Sequence, residues 1–233
     1  MPEAPATAVF VHGAGGGGWE WAVWARVFAA HGHAVLAPDL RPGPRGLAAT
    51  SLADYAAQVR EWIAAARTAA PGRGVALVGA SLGGLLALMQ RAQADALVLV
   101  NPMPPDGLPG AGDTRDIVPW GREASLAGTR RALPDADDLA ALLAFRRWRD
   151  ESGLALRQAR AGVTCADASA PVLVLASADD TEVPAERSAA LAGTLGASLL
   201  HRPGSHVGPL LGRQAAASAA LAVEWLNGLA PRA

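Results

Sequence analysis

Six short apolar runs alternate along this chain with segments of helical length, and that alternation leaves few folds open. The runs expected as strands are Ala8–His12, Ala34–Ala37, Gly74–Val78, Leu97–Val100, Pro171–Ala176 and Ala197–His201. Helices are expected near Trp21–Ala30, Ser51–Ala69, Leu82–Gln93, Ala185–Gly193 and Leu210–Leu229, the second opening on the capping-box-like Ser51-Leu52-Ala53-Asp54. Strands that alternate with helices in this way predict an α/β fold with a doubly wound, mostly parallel sheet of about six strands. At 233 residues with 51% hydrophobic composition, a single domain spanning 1–233 can bury such a sheet.

The third strand runs into Gly79-Ala80-Ser81-Leu82-Gly83, where a serine sits between two glycines at a strand-to-helix junction. So sharp a turn strains its central residue and admits only small neighbours. It leaves the serine hydroxyl at the carboxyl end of the sheet, facing the start of the next helix. Three further features follow the order that serine chemistry on such a sheet requires. Val9-Phe10-Val11-His12-Gly13-Ala14-Gly15 is a strand entering a histidine-glycine turn, suited to offering backbone N–H groups to an oxyanion. Asp179 and Asp180 lie just past the strand 171–176, and His206 sits on the turn Pro203-Gly204-Ser205-His206-Val207-Gly208. The chain order is Ser, Asp, His.

These motifs together resemble the α/β-hydrolase superfamily, over nearly the whole chain from Val9 to Leu229. The resemblance implies Ser81 as nucleophile, His206 as general base, and Ala14 and Leu82 as backbone donors of an oxyanion hole. It selects Asp180 as the acid, four residues before Pro184, with Asp179 in reserve because Ser177 stands where the family often has glycine. It also implies the strand order 2-1-3-4-5-6, with Ser81 and the His12 turn emerging at the switch point. The first strand begins too early to leave room for the N-terminal hairpin of many members. The insertion 102–169, between the fourth and fifth strands, is expected to be a short helical cap. Within it Asp135–Arg149 reads as a helix with Leu139, Leu142, Leu143 and Phe145 on its apolar side and Arg146, Arg147 and Arg149 on a solvated one. Met103, Trp120 and Trp148 are candidate walls of the substrate pocket.

The expected reaction is hydrolysis of a small carboxylic ester through an acyl-enzyme. Thioesterase, C–C hydrolase, perhydrolase and lyase chemistry remain alternatives on the same residues. No cofactor and no metal is expected. All twenty basic residues are arginine, so mechanisms that need a lysine lose their essential group. Gly13–Gly18 also satisfies a dinucleotide-binding spacing, with Asp39 21 residues after Gly18. Against a nicotinamide oxidoreductase stand the bulky Trp19-Glu20-Trp21 where a closely packed helix would begin, Pro38 before Asp39, and the lack of a Tyr-Lys pair. A non-catalytic binding protein would be expected to lose one of Ser81, Asp180 and His206. The net charge of −1 offers nothing to nucleic acid or an anionic membrane. No apolar stretch reaches membrane-spanning length, no leader-like pattern follows Met1, and the lone Cys165 cannot form an internal disulfide; a cytoplasmic protein acting on a small-molecule ester is expected.

Overall fold

The computed structural model describes residues 7–110 and 112–229. Its main sheet has six strands, β1 (Thr7–Val11), β2 (Ala34–Leu36), β3 (Val75–Ala80), β4 (Ala96–Val100), β7 (Val172–Ser177) and β8 (Ser198–Arg202), in the order β2-β1-β3-β4-β7-β8. Every pairing in it is parallel, and the order is the expected 2-1-3-4-5-6. Burial explains the continuous apolar runs: β1, β3, β4 and β7 are buried along their whole length because both faces are covered. Alternate residues feed separate cores. Val9, Val11, Leu77, Leu97, Leu99 and Val174 pack beneath α2 (Leu52–Ala69), α3 (Leu82–Met89) and α7 (Ala185–Leu195). Phe10, Val78, Val98 and Leu175 pack beneath α1 (Ala22–Ala30) and α9 (Ala215–Gly228).

The second core is anchored by aromatic contacts. Phe10 meets Trp21 and Phe28 at centroid distances of 5.0 and 5.1 Å, and Trp24 donates its indole N–H to the Pro209 carbonyl at 2.7 Å. Truncating any of these fully buried rings would cost about 3–5 kcal/mol. The start of α2 is the expected capping box: Ser51 Oγ accepts from the Asp54 N–H, and the Asp54 carboxylate accepts from the Ser51 N–H at 2.8 Å.

The structure departs from the sequence reading in four places. The last helix is broken: α8 (Gly208–Leu211) ends at an extended Gly212 before α9 begins. Helix α3 stops at Met89 and is followed by a separate 3₁₀ turn, Arg91–Gln93. The segment between β4 and β7 holds three helices, α4 (Leu126–Ala132), α5 (Asp138–Phe145) and α6 (Gly153–Ala161), with a small antiparallel pair, β5 (Ile117–Val118) and β6 (Glu151–Ser152). Finally, α5 is turned over. Its buried residues are Ala141 and Ala144, while Leu139, Leu142 and Leu143 are exposed. Phe145 is half-buried, and α4 is among the elements packed on this helix. The expected absence of a hairpin before β1 falls on residues 1–6, outside the described residues.

Candidate active site

The glycines around Ser81 answer to backbone crowding. A Cβ on Gly79 would lie 2.3 Å from the Gly83 carbonyl oxygen, and one on Gly83 would lie 2.1 Å from the Val11 oxygen of β1. Both contacts are with backbone, so neither can relax through a side chain. Squeezed between them, Ser81 takes φ 52° and ψ −120°, one of two non-glycine residues with positive φ among the described residues. The chain reverses from β3 into α3 there, with Leu82 as the first helical residue, whose N–H lies beyond the reach of intrahelical pairing.

The other positive-φ residue is Asn101, at φ 44° just past β4. Its side chain ties three strand ends together. Asn101 Nδ2 donates to the His206 carbonyl (2.7 Å) and to Ser177 Oγ (2.9 Å), and Oδ1 accepts from the Ser177 N–H (2.8 Å). Ser177, which softens the choice of acid in the sequence, is thus a buried partner of this network. Beyond it, Asp180 is buried. Its Oδ1 accepts the N–H groups of Glu182 and Val183 at 2.8 and 2.9 Å, and its Oδ2 accepts from His206 Nδ1 at 2.7 Å. A neutral His206 with its proton on Nδ1 keeps the Nε2 lone pair available. Asp179 is exposed and bonds only the Gly204 backbone, so Asp180 is the carboxylate that meets His206.

The turn after β1 passes directly beside Ser81: a Cβ on Gly13 would lie 3.3 Å from Ser81 Cβ. His12 is buried beneath the turn. Its Nε2 accepts the Leu40 N–H at 2.8 Å, which fixes the proton on Nδ1, donated to the Gly13 carbonyl at 2.8 Å. Burial pulls the His12 pKa down to about 4, so the ring is neutral. Three carboxylates surround the turn. Asp39 Oδ1 accepts the Gly18 N–H at 2.7 Å, and Glu151 Oε2 accepts the Gly15 N–H at 2.8 Å. Glu20 lies buried under Gly16, where a Cβ would come within 2.3 Å of Glu20 Oε2. Burial pushes Glu20 up to about 8, with the Gly17 and Gly13 N–H groups offsetting part of the rise. Asp39, the residue that a dinucleotide-binding reading assigns to a ribose, is therefore engaged in holding the glycine turn. Among the described residues, the Ala14 N–H has no hydrogen-bond partner.

The segment between β4 and β7 reaches both sides of this site. Arg149 does not stand on a solvated face with the exposed Arg146 and Arg147: its Nε donates to the Gly16 carbonyl at 2.7 Å and its Nη1 to that of Leu40 at 3.2 Å. Asp135 accepts the Ser205 N–H at 2.9 Å and the Ser205 hydroxyl at 2.7 Å, next to His206. Gly208 gives it room, since a Cβ there would lie 1.9 Å from Asp135 Oδ2. Sequence reading missed Asn101, Glu20, Glu151 and Asp135. For the first, an Asn closing an apolar strand is a visible cue for positive φ; Glu151 and Asp135 bond residues too distant in the chain for any local pattern, and Glu20, although it lies within seven residues of the glycines it faces, looks like an ordinary surface charge.

Of the candidate pocket walls, Met103 is buried and donates its N–H to the Ser81 carbonyl at 3.0 Å. Trp120, 45% exposed, lies against Gly15, where a Cβ would come within 2.7 Å of its ring. Trp148 packs edge-to-face on Trp19 at 5.5 Å, farther along the glycine turn. A surface groove of about 510 Å³ runs between Pro38–Pro44 and α2, but its lining includes none of Ser81, Asp180 and His206. The thiol of Cys165 is pushed up by burial, the reverse of an activated nucleophile.

The model of a family described as the alpha/beta hydrolase family matches residues 8–221. No curated protein matches the chain by sequence. Among solved structures, a pyrethroid hydrolase from Sphingobium faniae JZ-2 is 18% identical, with a TM-score of 0.72 over 96% of this chain and 98% of that one. A variant of tomato methylketone synthase I, complexed with beta-ketoheptanoate, is 15% identical with a TM-score of 0.72 over 97% and 98%. Polyneuridine aldehyde esterase is 19% identical with a TM-score of 0.70 over 94% and 99%.

Proposed function

This chain belongs to the alpha/beta hydrolase family, and within it we propose a serine hydrolase that cleaves small carboxylic esters through an acyl-enzyme. The observation that carries the reading is the pairing of buried Asp180 with half-buried His206, joined at 2.7 Å at the same carboxyl end of the sheet as a serine strained to φ 52°. His206 Nε2 takes the Ser81 hydroxyl proton as Oγ bonds the substrate carbonyl carbon, whose π electrons move onto oxygen. The Ala14 and Leu82 N–H groups hold that oxyanion, each worth about 3–4 kcal/mol of barrier. Collapse of the tetrahedral species breaks the bond to the leaving alkoxide, which receives the proton from His206. Water then repeats the sequence on the acyl-enzyme and releases the acid and Ser81.

Met103 and Trp120 adjoin Ser81 and the glycine turn, which supports a small, partly open acyl site, with Trp148 behind Trp19 as its outer wall. Acyl esters of graded chain length, assayed beside matching thioesters with the wild type and Ser81→Ala, test the proposal. Turnover of short esters that Ser81→Ala loses supports it. Turnover that survives the substitution refutes the nucleophile, and a strong preference for thioesters or long acyl chains refutes the substrate class.

A further inference from the structure

Glu151 is a buried carboxylate, and among the described residues no cation lies within 4 Å of it. Three neutral donors converge on it instead. Oε1 accepts the Tyr55 hydroxyl at 2.6 Å and the Ser152 N–H at 2.7 Å, while Oε2 accepts the Gly15 N–H at 2.8 Å. Both oxygens are committed, and Tyr55 and Ser152 fix one of them from two directions. A buried carboxylate held this firmly is a rigid reference point for whatever its other oxygen grips.

What it grips is the residue after Ala14. Gly15 has φ +69°. Its carbonyl accepts the Arg149 N–H at 2.8 Å, and the next carbonyl, Gly16, accepts Arg149 Nε. Residues 149 and 151 therefore hold Gly15 by both its N–H and its C=O. The consequence bears on Ala14: with the Gly15 N–H taken by Glu151 and the Gly16 N–H bonded to the Gly13 carbonyl at 3.3 Å, the Ala14 N–H is left as a free donor in the turn that passes beside Ser81 at Gly13.

We propose that Glu151 is a positioning residue for the oxyanion hole, holding the Gly15 N–H so that the Ala14 N–H stays free and fixed for the substrate oxyanion. The inference rests on the serine-hydrolase reading above. Glutamine has nearly the same shape but only one acceptor oxygen. With that oxygen toward Ser152, whose N–H cannot turn away, the Glu151→Gln amide N–H₂ confronts the Gly15 N–H, donor against donor, and pushes the turn off its position.

The test uses the full chain and compares wild type, Glu151→Gln, Tyr55→Phe and Ser81→Ala. It measures kcat and KM on a short ester and inhibition by a trifluoromethyl ketone, which takes the serine as a hemiketal and places an oxyanion in the hole. Misplacing one oxyanion donor should lower kcat for Glu151→Gln by about 10–100-fold with KM within about threefold. Affinity for the trifluoromethyl ketone should fall by the same factor. Tyr55→Phe, which loosens Oε1 without touching the turn, should show a smaller loss, again shared by kcat and the ketone, and it decides the matter if Glu151→Gln does not fold. Lower thermal stability with kcat and ketone affinity unchanged, or a kcat loss the ketone does not share, overturns the positioning role. Ser81→Ala separates the two levels: activity that survives it refutes the serine reading itself, whatever Glu151 does.

Discussion

Replacing Glu20 with glutamine should change how the stability of the fold depends on pH. Glu20 is buried beneath the glycine turn, and its Oε2 has no hydrogen-bond partner among the described residues. Burial raises its pKa from 4.5 to about 8, so between those values the folded chain holds a proton that the unfolded chain has released. Stability from this group is full below about pH 4.5 and is lost as pH rises through about 8, at roughly 1.4 kcal/mol per pH unit. The whole window amounts to a loss on the order of 5 kcal/mol. His12 works in the opposite sense. Its pKa falls from 6.5 to about 4, so its contribution is present above 6.5 and is lost as pH falls through about 4. The two oppose each other from about pH 4.5 to 6.5, and only Glu20 acts between 6.5 and 8. Urea unfolding followed by tryptophan fluorescence at intervals from pH 4.5 to 9 reads this directly. Wild type should weaken by about 1–2 kcal/mol between pH 6.5 and 8, whereas Glu20→Gln should stay level there and become the more stable protein above pH 8. Parallel curves for the two proteins across that interval would refute the argument that a neutral acid sits under the turn.

Three further outcomes follow from particular contacts. Asp180→Asn should lower kcat by orders of magnitude, because the amide disturbs the His206 tautomer, whereas Asp179→Asn should stay within about threefold; kcat/KM on one ester compares them. Leu139→Ala should shift the unfolding free energy by less than about 0.5 kcal/mol, while Ala144→Leu should cost about 1–3 kcal/mol, as chemical denaturation of the turned-over α5 will report. Trp120→Ala should alter the ratio of kcat/KM between short and longer esters, since one methylene in an apolar pocket is worth about 1–3 kcal/mol; an unchanged ratio with a lowered Tm would make Trp120 a packing residue only.

How much of this was legible beforehand follows from the range of the interactions involved. β1, β3, β4 and β7 are buried on both faces, so each announces itself as an unbroken apolar run, and the parallel crossovers force helices between them. The glycines at 79 and 83 were readable because backbone approaches backbone there, leaving no residue but glycine at either place. The resemblance to the α/β-hydrolases selects Asp180 by its place before Pro184, and the N–H groups at 182 and 183 that bond this carboxylate belong to the same local turn. The segment between β4 and β7 defeats such reading. A leucine-rich stretch normally marks an inward face, yet α5 buries Ala141 and Ala144 and leaves Leu139, Leu142 and Leu143 exposed. Arg149 and Glu151 look like ordinary surface charges until their partners are seen, and those partners, Gly16 and Gly15, lie more than 130 residues earlier in the chain. The break at Gly212-Arg213-Gln214 is only three residues long, between Leu210-Leu211 and Ala215-Ala216-Ala217, and so reads as one turn of a continuing helix.

The central claim is that Ser81, activated by His206, carries the acyl group. Mixing the protein with a p-nitrophenyl ester of a short acid, quenching in acid and mapping the adduct by peptide mass spectrometry tests it most directly. The account predicts an acyl group on Ser81, formed together with a burst of p-nitrophenol, and both lost in His206→Ala. Turnover with no adduct on Ser81, or an adduct on another residue that forms equally well in His206→Ala, would contradict it.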